Sequence, residues 1–507
     1  VHYENVCHDR RWAGTTDFES HMYASPEAAE TYLKHNPEKP YILCEYSHAM
    51  GNSCGNLHEY VELLDKYPQY CGGFIWDYID QSLFKKDVFG EEYLAYGGDF
   101  GDRPTNYNFC TDGLVYGDRG ISPKVQEVKY LYQPYRLYPE EQGVRVESRM
   151  LFSTGNYLRL NWSLEREGET IRSGSMPFEL APGKEAFFAC DLACPAEPGE
   201  YVRTAALVLA EQNEYGEANW ELCFGQDIVM SEVKGQGVRN TGAEFEQSNC
   251  IIDGDSNFSI VCDENKVQFQ KLTGRLSSYK IGGRELVYDI KNTLLPNFWR
   301  APTDNDEGNH MAERCAMWKT ASLYPQLLET SQKTVEGGAC ISAAYSLGDG
   351  AVCELDYQVN GSGVMQVEER FTGKEGLPDM PCFGMAWKLP REFSHVRWYG
   401  LGPEETYQDR MCGGRMGVYE TTAEAGLPGY VVPQECGNHT AVRWLEITDE
   451  QGVGIRIESE KPFEFSVLPY TCHELEQARH LYELPRPYAS VLRLNAEQTG
   501  VGGDNSW

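Results

Sequence analysis

The chain has 507 residues and a formal net charge of −33, with 77 acidic against 44 basic side chains. This length allows about three domains, and a hydrophobic share of 41% excludes a chain too polar to form a core. The acidic balance offers no basic surface, so we expect no nucleic-acid partner. No apolar run approaches the about 20 residues of a membrane span, so we expect no membrane partner either.

The 17 cysteines form no Cys-x-x-Cys pair. Several lie within apolar runs, as Cys44, Cys71, Cys190 and Cys262 do. Small buried thiols in a reducing compartment account for this pattern better than a disulfide framework or a zinc site. We therefore expect a cytoplasmic protein with unpaired cysteines.

Residues 1–134 alternate between apolar runs and helical patterns. Ser25 and Pro26 are residue types that begin a helix, and the apolar run 41–44 follows it. A second helix is predicted by apolar residues at helical spacing, namely Leu57, Tyr60, Val61 and Leu64. After another apolar run, 71–79, a third helix is expected to be capped by Ser122-Pro123 and to bury one apolar face, formed by Val125, Val128 and Tyr132. This alternation predicts a parallel sheet or barrel.

The pattern changes after Pro134. Residues 135–243 contain short runs of alternating apolar and polar residues, such as 157–162, separated by Gly, Pro and Asn. This spacing predicts a β-sandwich. The same all-β pattern continues through 244–507, which is long for one ordinary sandwich. We therefore expect a multidomain chain with an α/β part followed by two all-β parts.

Glu45 is the candidate whose position is most informative. It follows the apolar run 41–44 and precedes small and turn-forming residues. We therefore expect it at the C-terminal end of a buried strand, where a (β/α) barrel places catalytic groups. A carboxylate there can attack the anomeric carbon of a sugar while a second acid protonates the leaving group. The alternative is an acid that only caps the following turn, and position alone leaves both open.

Other residues near these strand ends can serve the same site. His48 can hydrogen-bond a sugar hydroxyl or satisfy a buried carbonyl. Trp76 can stack on a sugar face or fill the core. Tyr23 can tune the carboxylate through a hydrogen bond or be ordinary packing. The segment 106–112 offers oxygen ligands for a hard cation, but alone it is a weak metal signal.

The residues around Glu45 resemble a known signature. The sequence Cys-Glu-Tyr-Ser-His-Ala-Met-Gly-Asn-Ser at 44–53 closely resembles the nucleophile motif of glycoside hydrolase family two, specifically its large microbial, LacZ-type β-galactosidases. Further similar segments extend along the chain, at 72–82, 96–102, 109–113, 299–306, 400–405 and 502–507. The resemblance implies the C-terminal half of such an enzyme.

The implied fold has three units. Residues 1–134 would be the C-terminal part of a (β/α)8 TIM barrel. Residues 135–243 would be an immunoglobulin-like β-sandwich. Residues 244–507 would be a large, galactose-mutarotase-like supersandwich of the β-galactosidase small-chain type.

The resemblance also implies roles for the sugar-facing residues. Glu45 would form a covalent galactosyl intermediate, and Tyr23 would contact that glutamate. A donor such as Tyr23 or His48 is expected to hold the pKa of Glu45 low. His48 and Trp76 would hold the galactose, and Trp507 would be a platform for the aglycone.

Two cations accompany this site in the family. A sodium ion would be bound by the backbone oxygen of Phe109 and by the side chain of Asp112, which would also contact the substrate. The family usually has Asn at the position of Asp112, so the charge of this site differs from the common pattern. A magnesium ion would also be present, with its ligands mostly upstream of this chain.

The family's acid/base glutamate lies in an upstream Asn-Glu-Ser motif, and this chain contains no such tripeptide. We therefore expect residues 1–507 alone to be inactive, and the intact enzyme to hydrolyse terminal β-D-galactosides such as lactose. The resemblance also implies a homo-oligomer, a tetramer or a dimer. The open alternatives are another family-two activity, such as β-glucuronidase or β-mannosidase, and a non-catalytic carbohydrate-binding or assembly fragment.

Overall fold

The computed structural model describes residues 1–231, 250–262, 265–291, 293–335, 338–360 and 363–503. Its first part contains a parallel three-stranded sheet in the order β1-β2-β3 and a separate β4-β5 hairpin. The elements of this part are β1 (Glu19–Met22), α1 (Pro26–Leu33), β2 (Tyr41–Tyr46), α2 (Leu57–Lys66), β3 (Tyr70–Ile75), β4 (Leu83–Lys86), β5 (Glu92–Ala95) and α3 (Lys124–Leu131).

The first two helices agree closely with the sequence patterns. Ser25 caps α1, because its side chain accepts a hydrogen bond from the Ala28 N–H, and Pro26 is the first helical residue. Helix α2 packs on the sheet through a buried apolar stripe. Leu63 belongs to that stripe, whereas Leu64 is 43% exposed. The predicted stripe was therefore wrong at one position: Leu57, Tyr60 and Val61 are buried as expected, but Leu63 is buried in place of Leu64.

Helix α3 differs from its prediction. Its buried face carries two charged residues, Lys124 and Glu127, whereas Tyr132 is 49% exposed. Ser122 does not cap the helix, because its hydroxyl donates to the Leu114 carbonyl over 2.7 Å. Glu127 accepts a hydrogen bond from the Gly413 N–H over 2.7 Å, so this face packs on a distant part of the chain. The apolar pattern did not reveal these polar contacts.

The second part is built from two antiparallel sheets, β10-β7-β6 and β12-β11-β8-β9. Both sheets contribute to one apolar core, which includes Tyr135, Val146, Leu160 and Leu207. Alternation of buried and exposed residues along these strands explains why one face of each sheet is apolar. The strands are β6 (Tyr135–Glu140), β7 (Gly143–Ser148), β8 (Leu158–Arg166), β9 (Glu169–Pro177), β10 (Glu185–Ala189), β11 (Gly199–Leu209) and β12 (Glu221–Ser231).

The third part contains sheets of five, seven and four strands, in the orders β13-β14-β15-β16-β17, β18-β23-β28-β27-β26-β24-β25 and β19-β20-β21-β22. These sheets share one large apolar core. The strands are β13 (Cys250–Asp253), β14 (Asn257–Cys262), β15 (Asn265–Gln270), β16 (Arg275–Ile281), β17 (Arg284–Glu285), β18 (Leu295–Asn297), β19 (Gln326–Val335), β20 (Gly338–Gly348), β21 (Ala351–Asn360), β22 (Met365–Thr372), β23 (Cys382–Pro390), β24 (His395–Gly402), β25 (Arg415–Thr422), β26 (His439–Thr448), β27 (Gly454–Leu468) and β28 (Ala489–Gln498). Its helices are α4 (Asp304–Gly308), α5 (Met311–Arg314), α6 (Ala316–Leu323) and α7 (Cys472–Gln477).

The cysteines are unpaired wherever the structure describes their side chains. Cys71 is exposed, and Cys44 and Cys190 are half-buried, so these three are less buried than their apolar surroundings predicted. The side chain of Cys262 lies outside the described residues. Among the described helices, none combines the length and apolarity needed to cross a bilayer.

One buried carboxyl gives the third part a pH-dependent stability. Glu464 on β27 is 7% exposed and accepts a hydrogen bond from Asn438 over 3.0 Å. Burial, reinforced by the nearby carboxylate of Glu435, raises the pKa of Glu464 from 4.5 to about 7. The folded protein therefore binds this proton more tightly than the unfolded chain, and stability falls as pH rises from 4.5 to 7.

Replacing Glu464 by glutamine is expected to remove this pH dependence. Between acid and mildly alkaline pH, the unfolding free energy of the unsubstituted protein should fall by roughly 3 kcal/mol more than that of the variant. Urea unfolding at pH near 5 and near 8 measures the difference, with Glu460→Gln on the exposed end of β27 as a matched control. An equal pH dependence in both variants would contradict the prediction.

Candidate active site

The parallel register brings the ends of β1, β2 and β3 to one edge of the sheet. Met22 pairs with Glu45, and Tyr46 pairs with Ile75. Tyr23, Glu45 and Trp76 therefore leave their strands side by side. Beyond β3, an isolated parallel bridge joins residues 79 and 115, and the Asp77 N–H donates to the Asp112 carbonyl over 2.6 Å, so the segment that carries Asp112 reaches the same edge. The expected strand-end cluster is present.

Glu45 and Tyr23 are joined by two contacts. The Tyr23 N–H donates to the Glu45 carbonyl over 2.9 Å, and the Tyr23 hydroxyl donates to the Glu45 carboxylate. Tyr23 has a φ of 53°, and Ser47, two residues after Glu45, has a φ of 50°. Non-glycine residues at positive φ are costly and cluster at functional sites. Tyr23 follows the neighbouring strand β1 and Ser47 follows β2, so both of these residues lie at the same sheet edge as Glu45.

The pKa of Glu45 is raised, which differs from the low value expected from sequence. Burial of the carboxylate is the largest cause, while the hydrogen bond from Tyr23 acts in the opposite direction. Burial also raises the pKa of the Tyr23 hydroxyl, and the Glu45 charge adds to this effect. Tyr23 is therefore protonated near neutral pH, and its hydrogen bond partly offsets the desolvation of Glu45.

Trp76, Asp112 and His48 form a second group at this edge. The Trp76 indole N–H donates to Oδ2 of Asp112 over 3.2 Å, and Oδ1 of Asp112 lies 3.8 Å from Nε2 of His48. Trp76 is 39% exposed, whereas Asp112 and His48 are buried. The indole is thus partly accessible to a ligand, while its N–H is bonded to a buried carboxylate.

His48 also packs between aromatic rings. Its ring centroid lies 5.6 Å from that of Tyr23 and 5.7 Å from that of Phe109. Burial, followed by the charge of Lys124, lowers the pKa of His48 to about 4. The imidazole is therefore neutral near pH 7 and can both donate and accept a hydrogen bond. The candidate site residues predicted from the sequence therefore lie together at this sheet edge wherever the structure describes them. Trp507 lies outside the described residues.

Asp112 has the properties of a ligand for a hard cation. Burial raises its pKa to about 7, with further contributions from the carboxylates of Asp77, Asp80 and Asp304. Its Oδ1 atom is buried and receives no hydrogen bond from the residues that the structure describes. A sodium ion would supply that missing partner, so Asp112 fits this group. Within the described residues, no set of three or more His, Cys, Asp and Glu side chains is arranged to hold a metal ion.

The third part of the chain contacts the loop that follows Glu45. The Gln434 side chain accepts from the Asn52 N–H over 3.0 Å and donates to Asp304 over 2.9 Å. Asp304 in turn accepts from Asn108 over 2.7 Å. Gly51, at φ 54°, lies against this pair, and a Cβ atom there would come within 2.2 Å of the Asp304 carboxylate. The loop is therefore shaped by residues about 250 to 380 positions away.

The described end of the chain reaches the same loop. Asp409 accepts from the N–H groups of Val501 and Gly502 over 3.0 and 2.8 Å. The Gly502 carbonyl accepts from the Gly55 N–H over 2.9 Å. Gly503 lies so close that a Cβ atom would be 2.8 Å from the His48 carbonyl oxygen. The segment that leads to Trp507 is therefore fixed beside the site.

Lys124 is the site-adjacent residue that sequence reasoning missed. Its ammonium group is buried and donates to three backbone carbonyls, those of Ala49, Gly51 and Gly113. The only signal in the sequence was a lysine at the first turn of a helix expected to be apolar on one face. Such a lysine normally lies in solvent, so the pattern gave no reason to select it.

Comparison with known proteins identifies the family. The model described as "Glycosyl hydrolases family 2, TIM barrel domain" matches residues 1–137. "Beta-galactosidase, domain 4" matches residues 144–229, and "Beta galactosidase small chain" matches residues 262–507. The chain belongs to glycoside hydrolase family two. These matches fit the C-terminal part of a TIM barrel followed by LacZ-type domains.

Several family-two relatives align with the whole chain. A protein named Beta-galactosidase from Halalkalibacterium halodurans is 42% identical, and the alignment covers 100% of this chain and 50% of that protein. Beta-galactosidase of Priestia megaterium is 38% identical, with 100% of this chain and 49% of that protein covered. Beta-galactosidase BgaC of Bifidobacterium adolescentis is also 38% identical, with 100% and 50% covered. The chain spans about half the length of these relatives.

Proposed function

We propose that the chain is the C-terminal half of a retaining β-galactosidase that hydrolyses terminal β-D-galactosides such as lactose. The observation that carries the proposal is the Glu45 carboxylate at the sheet edge, hydrogen-bonded by the Tyr23 hydroxyl. The names of the full-length relatives support the choice of sugar.

Glu45 acts as the nucleophile in this proposal. One of its carboxylate oxygens bonds to the anomeric carbon while the bond from that carbon to the aglycone oxygen breaks. The aglycone oxygen takes a proton from the acid/base glutamate, which the family pattern places upstream of this chain. Water then attacks the anomeric carbon and gives a proton to that same residue, and Glu45 leaves as a carboxylate. Two inversions give net retention.

The surrounding residues bind and orient the sugar. The exposed face of Trp76 stacks on the apolar face of galactose, and the bond to Asp112 fixes the indole plane. Neutral His48 hydrogen-bonds a sugar hydroxyl. Trp507 lies five residues after Gly502 in the sequence, and it serves as the platform for the aglycone.

Two cations belong to the proposed holoenzyme. Sodium would be held by the Asp112 side chain and the Phe109 backbone oxygen, and it would supply positive charge to this part of the site. Because Asp112 replaces the usual Asn, its negative charge strengthens the demand for a cation at this position. Magnesium would be held by residues mostly upstream of this chain.

The wider organisation follows the family. Residues 1–134 complete a (β/α)8 barrel, residues 135–243 form an immunoglobulin-like sandwich, and residues 244–507 form a galactose-mutarotase-like supersandwich. The parallel strands β1–β3 and the antiparallel sheets support this division. We also propose a cytoplasmic location, which the unpaired described cysteines support. The proposed assembly is a homo-oligomer, a tetramer or a dimer.

A panel of nitrophenyl glycosides tests the activity. The full-length protein should hydrolyse the β-galactoside far faster than the β-glucuronide or β-mannoside, whereas residues 1–507 alone should hydrolyse none. A 2-deoxy-2-fluoro galactosyl reagent should label Glu45 in the full-length protein. Preference for another sugar would indicate a different family-two activity. Galactose binding without labelling would indicate a carbohydrate-binding fragment.

Tyr23→Phe tests the contact between Tyr23 and Glu45. Loss of one preorganised donor to a reacting carboxylate should reduce kcat by about 10²-fold. Because the bond lowers the pKa of Glu45, its loss should shift the acid limb of the kcat/KM profile to higher pH. Tyr67→Phe removes a similar hydroxyl from surface Glu30 and serves as the control. Identical profiles for the two variants would exclude the proposed role of Tyr23.

A further inference from the structure

Lys124 is a buried cation whose hydrogen bonds all go to backbone carbonyls beside the candidate site. It is 1% exposed, and its Nζ atom donates to the carbonyls of Ala49, Gly51 and Gly113 over 2.5, 2.8 and 2.8 Å. An ammonium group has three N–H donors, and all three are used. The Tyr430 ring covers the group at 5.6 Å from Nζ to the ring centroid.

The three carbonyls belong to two separate segments. Ala49 directly follows His48 and Gly51 lies two residues further on, while Gly113 directly follows Asp112. The two segments make another direct backbone contact near this position, in which the Gly51 N–H donates to the Thr111 carbonyl over 3.4 Å. Lys124 therefore joins the backbone behind His48 to the backbone behind Asp112.

Burying an ammonium group is costly, so packing alone does not explain this residue. Removing such a charge from water costs several kcal/mol, and an apolar side chain of similar length fills the same space without that cost. The carboxylates of Asp80 and Asp304 offset only part of this cost. What an apolar side chain could not provide is the bonding geometry, because a compact ammonium group can bind three carbonyl oxygens at one point.

We propose that Lys124 is a positioning residue for sugar binding, which fixes the distance between the His48 and Asp112 side chains. The inference rests on the proposed function of this edge as a glycosidase site. Lys124 does not touch the sugar or the reacting atoms. It acts through the two loops, and a displacement of about 1 Å in such a site can cost about 10²-fold in activity.

Lys124→Met in the full-length protein tests the proposal. KM for nitrophenyl β-galactoside and the inhibition constant for galactose should both rise by about 10- to 100-fold. The kcat value should change much less, because Glu45 and Tyr23 are held by other contacts. Lys124→Gln, which keeps a polar donor, should give an intermediate shift. Lys129→Met, on the exposed side of the same helix, should leave both constants unchanged.

Each outcome decides the matter. A lower melting temperature with unchanged KM and inhibition constant in both variants would overturn the proposal, as would failure of both variants to fold, because either result assigns Lys124 a purely structural role. If the unsubstituted enzyme prefers another glycoside, the proposed sugar fails and the same comparison is made with that glycoside. An unsubstituted enzyme that hydrolyses no glycoside would overturn both the function and this inference.

Discussion

Glu45→Gln in the full-length protein is expected to lower kcat for nitrophenyl β-galactoside by about 10⁴-fold or more. An amide cannot carry the charge that attacks the anomeric carbon or stabilise the cationic transition state before bonding. The substitution is nearly isosteric, and Glu45 is only half-buried, so the fold should be kept. Sugar release and galactose binding are measured on the same preparation.

Binding separates loss of chemistry from loss of structure. The variant should bind galactose within a few-fold of the unsubstituted enzyme, because His48, Trp76 and Asp112 are unchanged. Glu27→Gln, an exposed carboxylate in the first turn of α1, is the matched control and should retain full activity. If Glu45→Gln keeps more than a tenth of the activity, another residue is the nucleophile.

Arg300→Met is expected to destabilise the third part by about 3 to 5 kcal/mol. The Arg300 guanidinium is fully buried and donates to both carboxylate oxygens of Asp306 over 3.0 and 2.9 Å. It also donates to the carbonyls of Thr499 and Gly500 over 2.5 and 2.8 Å. Its removal leaves the buried Asp306 carboxylate without its counterion and the two carbonyls without this donor. Urea unfolding followed by near-ultraviolet circular dichroism gives the shift in midpoint.

Two companion variants show whether the ion pair is the cause. Arg391→Met breaks an exposed pair with Glu424 and should cost less than about 1 kcal/mol. The double variant Arg300→Met with Asp306→Leu removes both buried charges, so it should recover part of the loss. A single variant as stable as Arg391→Met would show that Arg300 is dispensable to the fold.

Much of the first part could be predicted because its local patterns are strong. Glu45 lies at a strand end because an apolar run precedes it and turn-forming residues follow. Ser25 and Pro26 begin α1 through the capping that their residue types favour. Helix α3 was mispredicted because its buried face bonds to backbone carbonyls and to a loop near Gly413, and local periodicity contains no information about such partners.

The site was predictable only where it depends on short segments. Tyr23, Glu45 and Trp76 meet because parallel strands share one edge, a consequence of topology that the alternation of elements already implies. The contribution of Gln434 and Asp409 depends on how distant sheets pack, and neither residue stands in a pattern that signals it. The raised pKa of Glu45 was missed because the sequence shows its donors but not the extent of its burial.

The loop after Glu45 is bound by residues from the third part of the chain, and this limits which segments can be exchanged with those of a relative. Arg410 donates to the Ser53 carbonyl over 2.6 Å, and the Asn52 side chain donates to the Glu435 carbonyl over 2.7 Å. A chimera that joins this barrel segment to the small-chain region of another relative must therefore inherit compatible partners on both sides. The unit that can be exchanged without loss is larger than any one of its domains.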